Sequence, residues 1–410
     1  MGDPREVCIL AAVRTPLGSF RGSLSSLSAT ELGAIAIKAA IERAKVPVEY
    51  VDEVFMGNVC SSNLGQAPAT QCIIKAGLPS RIPCTGINKV CASGMKAVML
   101  AEQSIRNGDN NIVLAGGMES MSNVPHYLPR MREGCRMGHA EVVDGLIKDG
   151  LWDPYNQIHM GTCAEMCAKR YGFIRSEQDA HALSSHKRAR LASTEGWTSS
   201  EVVPVTLPNG QVIREDDGIK RMDPDKLTHL KPAFAKEGEG TVTPGNASPM
   251  SDGAAVLVLA SRAMAEQLGR PILAVLRGHA DANQAPEWFT TTPSLAIPKA
   301  LTKTGIKLED VDYIEVNEAF SVVDLANRKI LGLPDNKVNV HGGAVALGHP
   351  LGASGARILV TLLNVLTVKG GRFGVAAICN GGGGASAMVI ERCPLSSSAS
   401  SDGHSQGARL

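Results

Sequence analysis

Cys91 stands in "NKVCASGMKAVMLAEQSIRNG" (88–108), between a polar start and a long apolar helical run. A cysteine at a helix N-terminus meets free backbone N–H groups and the positive end of the helix dipole. Both favour the thiolate and lower its pKa from about 8.5. The competing reading is a buried cysteine packing as a small hydrophobe. In "HGGAVALGHPLGASG" (341–355), His349 sits among glycines ahead of a second helix, and a Cys–His pair is a common route to an activated thiol. Cys379 ends the strand-like "VAAICN" just before "GGGGAS" (381–386). The glycines beginning at Gly381 permit close backbone approach and expose N–H groups able to cradle an oxyanion. Asn317 and Glu318 follow the strand-like "YIEV", a position that either faces a ligand or makes an ordinary turn. His159, in "YNQIHMGTCAE", is a lone histidine before a helix, a pattern usual for capping or packing. The glycines lack the G-K-[ST] ending of a nucleotide loop, and H-E-x-x-H and G-x-S-x-G are absent, which excludes those ATPase, zinc-protease and hydrolase signatures.

The elements that must position these residues are written twice. "IERAKVPVEYVDEVFMGN" (41–58) matches "LTKTGIKLEDVDYIEVNE" (301–318) without a gap, and "ASGMKAVML" (92–100) meets "ASGARILVT" (353–361). Buried-strand patterns ending in glycine-rich turns follow in both halves, at 111 and 373. Three matches in one order define two copies of one α/β unit. In each copy apolar strand runs alternate with helices, so mixed sheets with helices on their faces are expected. The helices starting near 92 and 353 are apolar around most of their circumference and belong between layers, each ending at glycine. The symmetry places Cys91 and His349 at equivalent helix N-termini, which two facing halves would bring together. That tips Cys91 toward the nucleophile. Residues 121–240 have no counterpart in the second copy. This insertion holds a helix at 176–193 with Ser176 as its expected N-cap. The expected division is 1–120 with 241–270 as the first half, 121–240 as an inserted loop domain for substrate binding, 271–392 as the second half, and 393–410 as a disordered tail.

Composition narrows the function classes. The chain has 410 residues, enough for a fused double domain, and 41 basic against 40 acidic residues. That balance gives no pull toward nucleic acid or anionic membrane. Ten cysteines are scattered without a C-x-x-C pair, so a reducing compartment is expected and no metal site. The apolar run at 353–368 reads as too short for a membrane span and contains Arg357. A strand pattern from Val7 leaves no room for a secretory or mitochondrial leader. Ala408-Arg409-Leu410 has the small–basic–leucine form of a peroxisomal address, or is simply the end of a random tail. Cytoplasmic or peroxisomal residence is expected.

Taken together, "NKVCASGMKAV", "HMGTCAE", "GTVTPGNAS", "EVNEAFS", "NVHGGAVALGHPLGASGAR" and "CNGGGGASA" resemble the thiolase family, most closely its acetoacetyl-CoA-forming branch, across about residues 5–392. The resemblance implies an α/β fold of two βαβαβαββ halves in five αβαβα layers with an inserted loop domain. It implies the reversible condensation of two acetyl-CoA to acetoacetyl-CoA and CoA through an acetyl-cysteine. By position, Cys91 is then the nucleophile, His349 its base, and Cys379 the acid/base at the α-carbon. Asn317 holds a water that forms one oxyanion hole with His349; the N–H groups of Cys91 and Gly381 form the other. Around the thioester and pantetheine arm the resemblance places Leu151, His159, Met160, Phe234, Pro244, Gly245, Ser248, Ala319 and Phe320, with Lys220 or Arg221 at the nucleotide phosphates. His159 and Met160 favour short acyl chains. No cofactor beyond the CoA substrates and no metal is implied. The assembly expected is a homotetramer, which adds oligomerisation to the role of the loop domain. Two other readings remain: a broader-chain 3-ketoacyl-CoA thiolase of β-oxidation, and a non-catalytic acyl-CoA or lipid carrier on the same scaffold. The chain departs from the family pattern at His341 (usually Asn), Pro244 (usually Ala) and Ile219, where some relatives have a potassium-associated Tyr.

Overall fold

The computed structural model describes residues 3–394 except 221 and 237. Its main strands are β1 (Val7–Arg14), β2 (Glu53–Gly57), β3 (Cys84–Ile87), β4 (Ile112–Ser120), β5 (Ser251–Ser261), β6 (Ala274–Asn283), β7 (Tyr313–Val316), β8 (Phe373–Asn380) and β9 (Gly384–Arg392). The principal helices are α1 (Ala29–Ala44), α2 (Pro68–Lys75), α3 (Ser93–Asn107), α4 (Met160–Tyr171), α5 (Arg175–Thr194), α6 (Pro293–Thr304), α7 (Ser321–Leu331) and α8 (Leu351–Lys369).

In the first half the order is β1-α1-β2-α2-β3-α3-β4-β5, and its strands lie side by side as β3-β2-β4-β5-β1. The second half repeats this as β7-β8-β9-β6. It lacks a full third strand. There Val338 makes only a single parallel bridge to Ile314, because Asn339, at φ +47, turns its side-chain amide onto the sheet. That amide accepts from Val316 N–H and donates to Val316 C=O, both at 2.9 Å, standing in for a strand's backbone.

Leu10, Val54 and Leu114 point outward against α1 and α2; Ile9, Val113 and Leu257 point inward against α3 and α8. Ile378 and Ile390 of the second half cover the other side of those helices, and α6 packs outside. Five layers result. The two half-sheets join along one short seam, Cys8 with Val275 and Ile9 with Ala274. A bulge at Leu10 then turns β1 away.

The repeated "ASG" has a packing explanation. A Cβ on Gly94 would lie 2.8 Å from Gly352 C=O, and one on Gly355 would lie 2.4 Å from Met95 N. The central helices therefore touch backbone to backbone at their N-terminal turns. Gly108 and Gly370, both left-handed, end them as expected.

Two sequence expectations need correction. Helix α8 is long and apolar enough to cross a membrane, but 89% of that stretch is buried inside the protein; it is a core helix whose apolar surface is already covered. Ser176 is not the N-cap of α5. The helix begins at Arg175, and its first turn is closed by Glu177 accepting from Ile174 N–H at 2.8 Å. In the inserted segment, α4 and α5 pack on α7 of the second half.

Candidate active site

Cys91 leaves the strand-to-helix turn after β3 through Val90, a β-branched residue held at φ +47, a conformation that costs of order 1–3 kcal/mol. Neighbouring side chains hold the turn. Asn88 Oδ1 accepts from Val90 N–H at 3.0 Å, and Ser93 Oγ accepts from Lys89 N–H at 2.8 Å. The turn delivers Cys91 to the wall of a cleft of about 380 Å³. Burial pushes its thiol up to about 12, against the backbone N–H groups of Gly381 and of Cys91 itself, which favour the anion. The expectation of a lowered pKa is thus overturned. Loss of water around the sulfur outweighs the helix end.

His349 faces the same cleft from the loop before α8. Its own N–H lies 3.2 Å from Pro249 C=O and from Ser251 Oγ. Its Nδ1 lies 2.6 Å from Ser354 Oγ. Asn317 Nδ2 lies 3.5 Å from both ring nitrogens, and Arg357 Nη2 lies 3.5 Å from Asn317 Oδ1. Burial and the charge of Arg357 push His349 down to about 3. The resting pair is a neutral thiol beside a neutral imidazole.

Cys379 is fully buried beneath the cleft, among Met160, Cys163, Cys167 and Phe289. Burial, and then the charge of Cys91, hold its pKa well above the thiol range. Gly381 lines the cleft. Two residues on, a Cβ on Gly383 (φ +82) would lie 2.1 Å from Gln284 C=O, so the glycine run lets this turn press against its neighbour.

Of the residues expected around the thioester, Leu151, His159, Met160, Phe234, Pro244, Ser248, Ala319 and Phe320 line this cleft. His159 also fulfils the capping reading. Its Nδ1 accepts from Gly161 N–H at 3.0 Å, and its ring stacks on Phe234 at 4.7 Å. Asn317 is placed one shell behind, against His349. Gly245 lines an adjoining cleft of about 300 Å³ that shares Pro244 and holds Lys226. Lys220 lines neither; it is exposed, 2.5 Å from Glu215. Arg221 lies outside the described residues. Glu318 turns away from the cleft. Its oxygens are taken by His181, Ser185, Asn339 and Val345 N–H. Burial alone would raise its pKa, but the charge and hydrogen bond of His181, with the hydrogen bonds from Ser185 and Val345 N–H, together lower it to about 2.

Sequence reasoning missed Phe20, Met121 and Leu351 in the cleft wall, and Glu119 behind it. Buried Glu119 accepts from Val59, Cys60 and Gly352 N–H groups, tying the start of α8 to the loop after β2. Burial raises its pKa to about 7. Only Ser354 carried a signal, inside the repeated "ASG". His341 is buried and stacked on Trp197 at 5.2 Å. Burial, followed by Lys369, lowers its pKa to about 4, only partly offset by Asn364. Ile219 is buried. Among the described residues, no cluster of His, Cys, Asp or Glu is arranged to hold a metal ion.

A buried cysteine and histidine from two repeated halves, meeting in one cleft under central helices, define a thiolase. The chain belongs to that family: "Thiolase, N-terminal domain" matches residues 7–263 and "Thiolase, C-terminal domain" matches 270–392. It is 58% identical over 394 residues to "Acetyl-CoA acetyltransferase 1" of Arabidopsis thaliana, covering 95% of each chain. It is 54% identical over 392 residues to the "Acetyl-CoA acetyltransferase" of Schizosaccharomyces pombe, covering 94% of this chain and 99% of that one. Among solved structures, the Acat5 thiolase of Ascaris suum in complex with coenzyme A superposes with a TM-score of 0.91 at 46% identity, covering 95% of this chain and all of that one.

Proposed function

We propose that this chain catalyses the reversible Claisen condensation of two acetyl-CoA molecules to acetoacetyl-CoA and CoA, with Cys91 carrying the acetyl group. The observation that carries the reading is the meeting of Cys91, His349 and Gly381 on one cleft wall. The names of the relatives support the same activity.

In the first half-reaction His349 Nε2 takes the Cys91 proton as the sulfur attacks the thioester carbonyl. The C–S bond to CoA breaks, and the leaving thiolate takes the Cys379 proton, so that Cys379 becomes a thiolate while the imidazolium keeps the Cys91 proton. Backbone N–H groups of Cys91 and Gly381 hold the oxyanion, the kind of preorganised donor pair that stabilises tetrahedral intermediates. In the second, Cys379 as thiolate removes the α-proton of a second acetyl-CoA. Asn317, through a water, and His349 stabilise the enolate. The enolate carbon attacks acetyl-Cys91, the C–S bond to Cys91 breaks, and the imidazolium returns its proton to that sulfur, leaving both cysteines as thiols and His349 neutral. A negative charge on Cys91 raises the Cys379 pKa. With Cys91 acylated, no charge can form on its sulfur to oppose the Cys379 thiolate. The thioester acidifies its own α-carbon, so the chemistry asks for no cofactor beyond CoA.

Met160, Phe234 and Phe320 line the cleft, and side chains of that bulk support short acyl chains over the broader 3-ketoacyl-CoA reading. Thiolysis rates with acetoacetyl-CoA and 3-ketooctanoyl-CoA test this, together with mass spectrometry for acetylated Cys91. Equal rates refute short-chain specificity. Absence of turnover with either substrate leaves the carrier reading.

For self-association, the arm at 126–144 exposes Leu128, Met131, Met137 and Val142, an apolar set suited to covering by further copies in a homotetramer. Light scattering after gel filtration measures the copy number. A relative from Gibberella zeae is named "Acetyl-CoA acetyltransferase ERG10, cytosolic", which supports cytoplasmic residence. The peroxisomal reading of Ala408-Arg409-Leu410 lies outside the described residues; a fluorescent fusion to the C-terminal segment tests it.

A further inference from the structure

Where β1 leaves the seam at the Leu10 bulge, the two half-sheets part over the later turns of α8 and leave a second cleft of about 280 Å³. Val360 and Leu363 form its helix side, while Leu351 of the same helix lines the active cleft. Twelve residues of helix separate Leu351 from Leu363, roughly 18 Å. The two clefts share no lining residue.

The walls pair apolar surface with unspent polar groups. Leu10, Leu273, Val360 and Leu363 supply the apolar part. Glu201, only 2% exposed, gives one carboxylate oxygen to Arg14 at 2.7 Å, while its Oε2 has no hydrogen-bond partner. Asn364, 5% exposed, adds Oδ1, whose interaction with the His341 ring falls short of hydrogen-bond geometry. Buried acceptors of this kind are costly when left unmet. Two cations stand beside them. Arg43 Nη1 donates to Ser200 C=O, one residue from Glu201, and Arg392 Nε donates to Gly371 C=O at 2.7 Å. Each guanidinium keeps further N–H groups for an anion.

A cation-seeking carboxylate, anion-seeking guanidinium groups and an aliphatic wall in one small cleft match a small zwitterion. We propose that this cleft binds an aliphatic α-amino acid of about the size of leucine. Its ammonium would meet Glu201 and Asn364, its carboxylate Arg43 and Arg392, and its side chain Leu10, Leu273 and Leu363.

The test uses the full-length protein with CoA saturating the active cleft. Leucine, 4-methylpentanoate (no amine), isoamylamine (no carboxylate) and 3-hydroxybutyrate are titrated by saturation-transfer NMR and thermal shift. Saturable leucine binding is expected, with each truncated analogue weaker by about tenfold, the worth of one charge-assisted contact. Arg392→Gln should weaken leucine by a similar factor and leave thiolysis turnover unchanged. Asn364→Leu should weaken it too. Because Asn364 also holds Trp197 C=O and Ser200 Oγ, Arg392→Gln decides the matter if that variant does not fold. Absence of saturable leucine binding overturns the proposal. So does 4-methylpentanoate or 3-hydroxybutyrate binding as tightly as leucine, or leucine binding indifferent to Arg392→Gln.

Discussion

Ser354 Oγ lies 2.6 Å from His349 Nδ1 and 2.9 Å from Pro350 C=O. A hydroxyl has one proton to give. The carbonyl can only accept, so the Ser354 proton goes to Pro350 and Oγ accepts Nδ1–H from the imidazole. That fixes the tautomer and leaves the Nε2 lone pair free as the base. Ser354 acts through His349 and is a positioning residue. Ser354→Ala should lower kcat by about 10–100-fold, the usual cost of losing such an orienting bond, with little change in the KM for acetoacetyl-CoA. Ser354→Thr, which keeps the hydroxyl, should recover much of the loss. A fall confined to KM would remove the tautomer argument.

The charge state of the pair predicts a pH profile. With Cys91 raised to about 12 and His349 lowered to about 3, neither group titrates near neutrality in the free enzyme. Alkylation of Cys91 by iodoacetamide should therefore rise log-linearly from pH 7 to pH 10, following the thiolate fraction. A plateau near pH 7 would show that the cleft stabilises the thiolate after all.

Cys91→Ala should abolish thiolysis of acetoacetyl-CoA while CoA still binds, as measured by calorimetry. Turnover close to that of the unmodified enzyme would falsify the nucleophile assignment.

Gly355→Ala places a methyl 2.4 Å from Met95 N. Alanine favours helix by up to about 1 kcal/mol, but overpacking costs about 1–3 kcal/mol, and backbone cannot step aside as a flexible side chain can. Net destabilisation is expected, read as a lower urea midpoint with an unchanged slope. A stabilised variant would mean that α3 and α8 can separate without penalty.

Acid should act in part through His341. Its folded pKa is lowered from 6.5 to about 4, with burial the leading cause. The unfolded chain therefore takes up a proton first as pH falls, and stability is lost from about pH 6.5 down through 4. By linkage this group alone costs about 2 kcal/mol at pH 5. His341→Asn should narrow the gap between urea midpoints at pH 7.5 and pH 5. An unchanged gap would assign the acid lability to other groups, such as His186, also lowered to about 4 by burial.

The repeat was legible because helix faces and the "ASG" contact are written locally, residue by residue. From it follow α3, α8 and the meeting of Cys91 with His349. The protonation of Cys91 was not legible, since it depends on how many layers cover the sulfur rather than on the helix that follows it. Nor was the missing third strand, which is replaced by the side chain of one asparagine, Asn339. Phe20 and Met121 reach the cleft from segments far apart in sequence, and nothing in their neighbours marks them. Lys220 lies outside both clefts, with its ammonium beside Glu215.

The shared helix layer has a consequence for how the chain comes off the ribosome. Each central helix is the inner cover for both half-sheets, so a nascent first half would hold Cys91 on a surface still open to water. It would have neither His349 to deprotonate it nor Gly381 to steady an acyl adduct. On the proposed roles of His349 and Gly381, a chain ending before them should be inert toward acetyl-CoA.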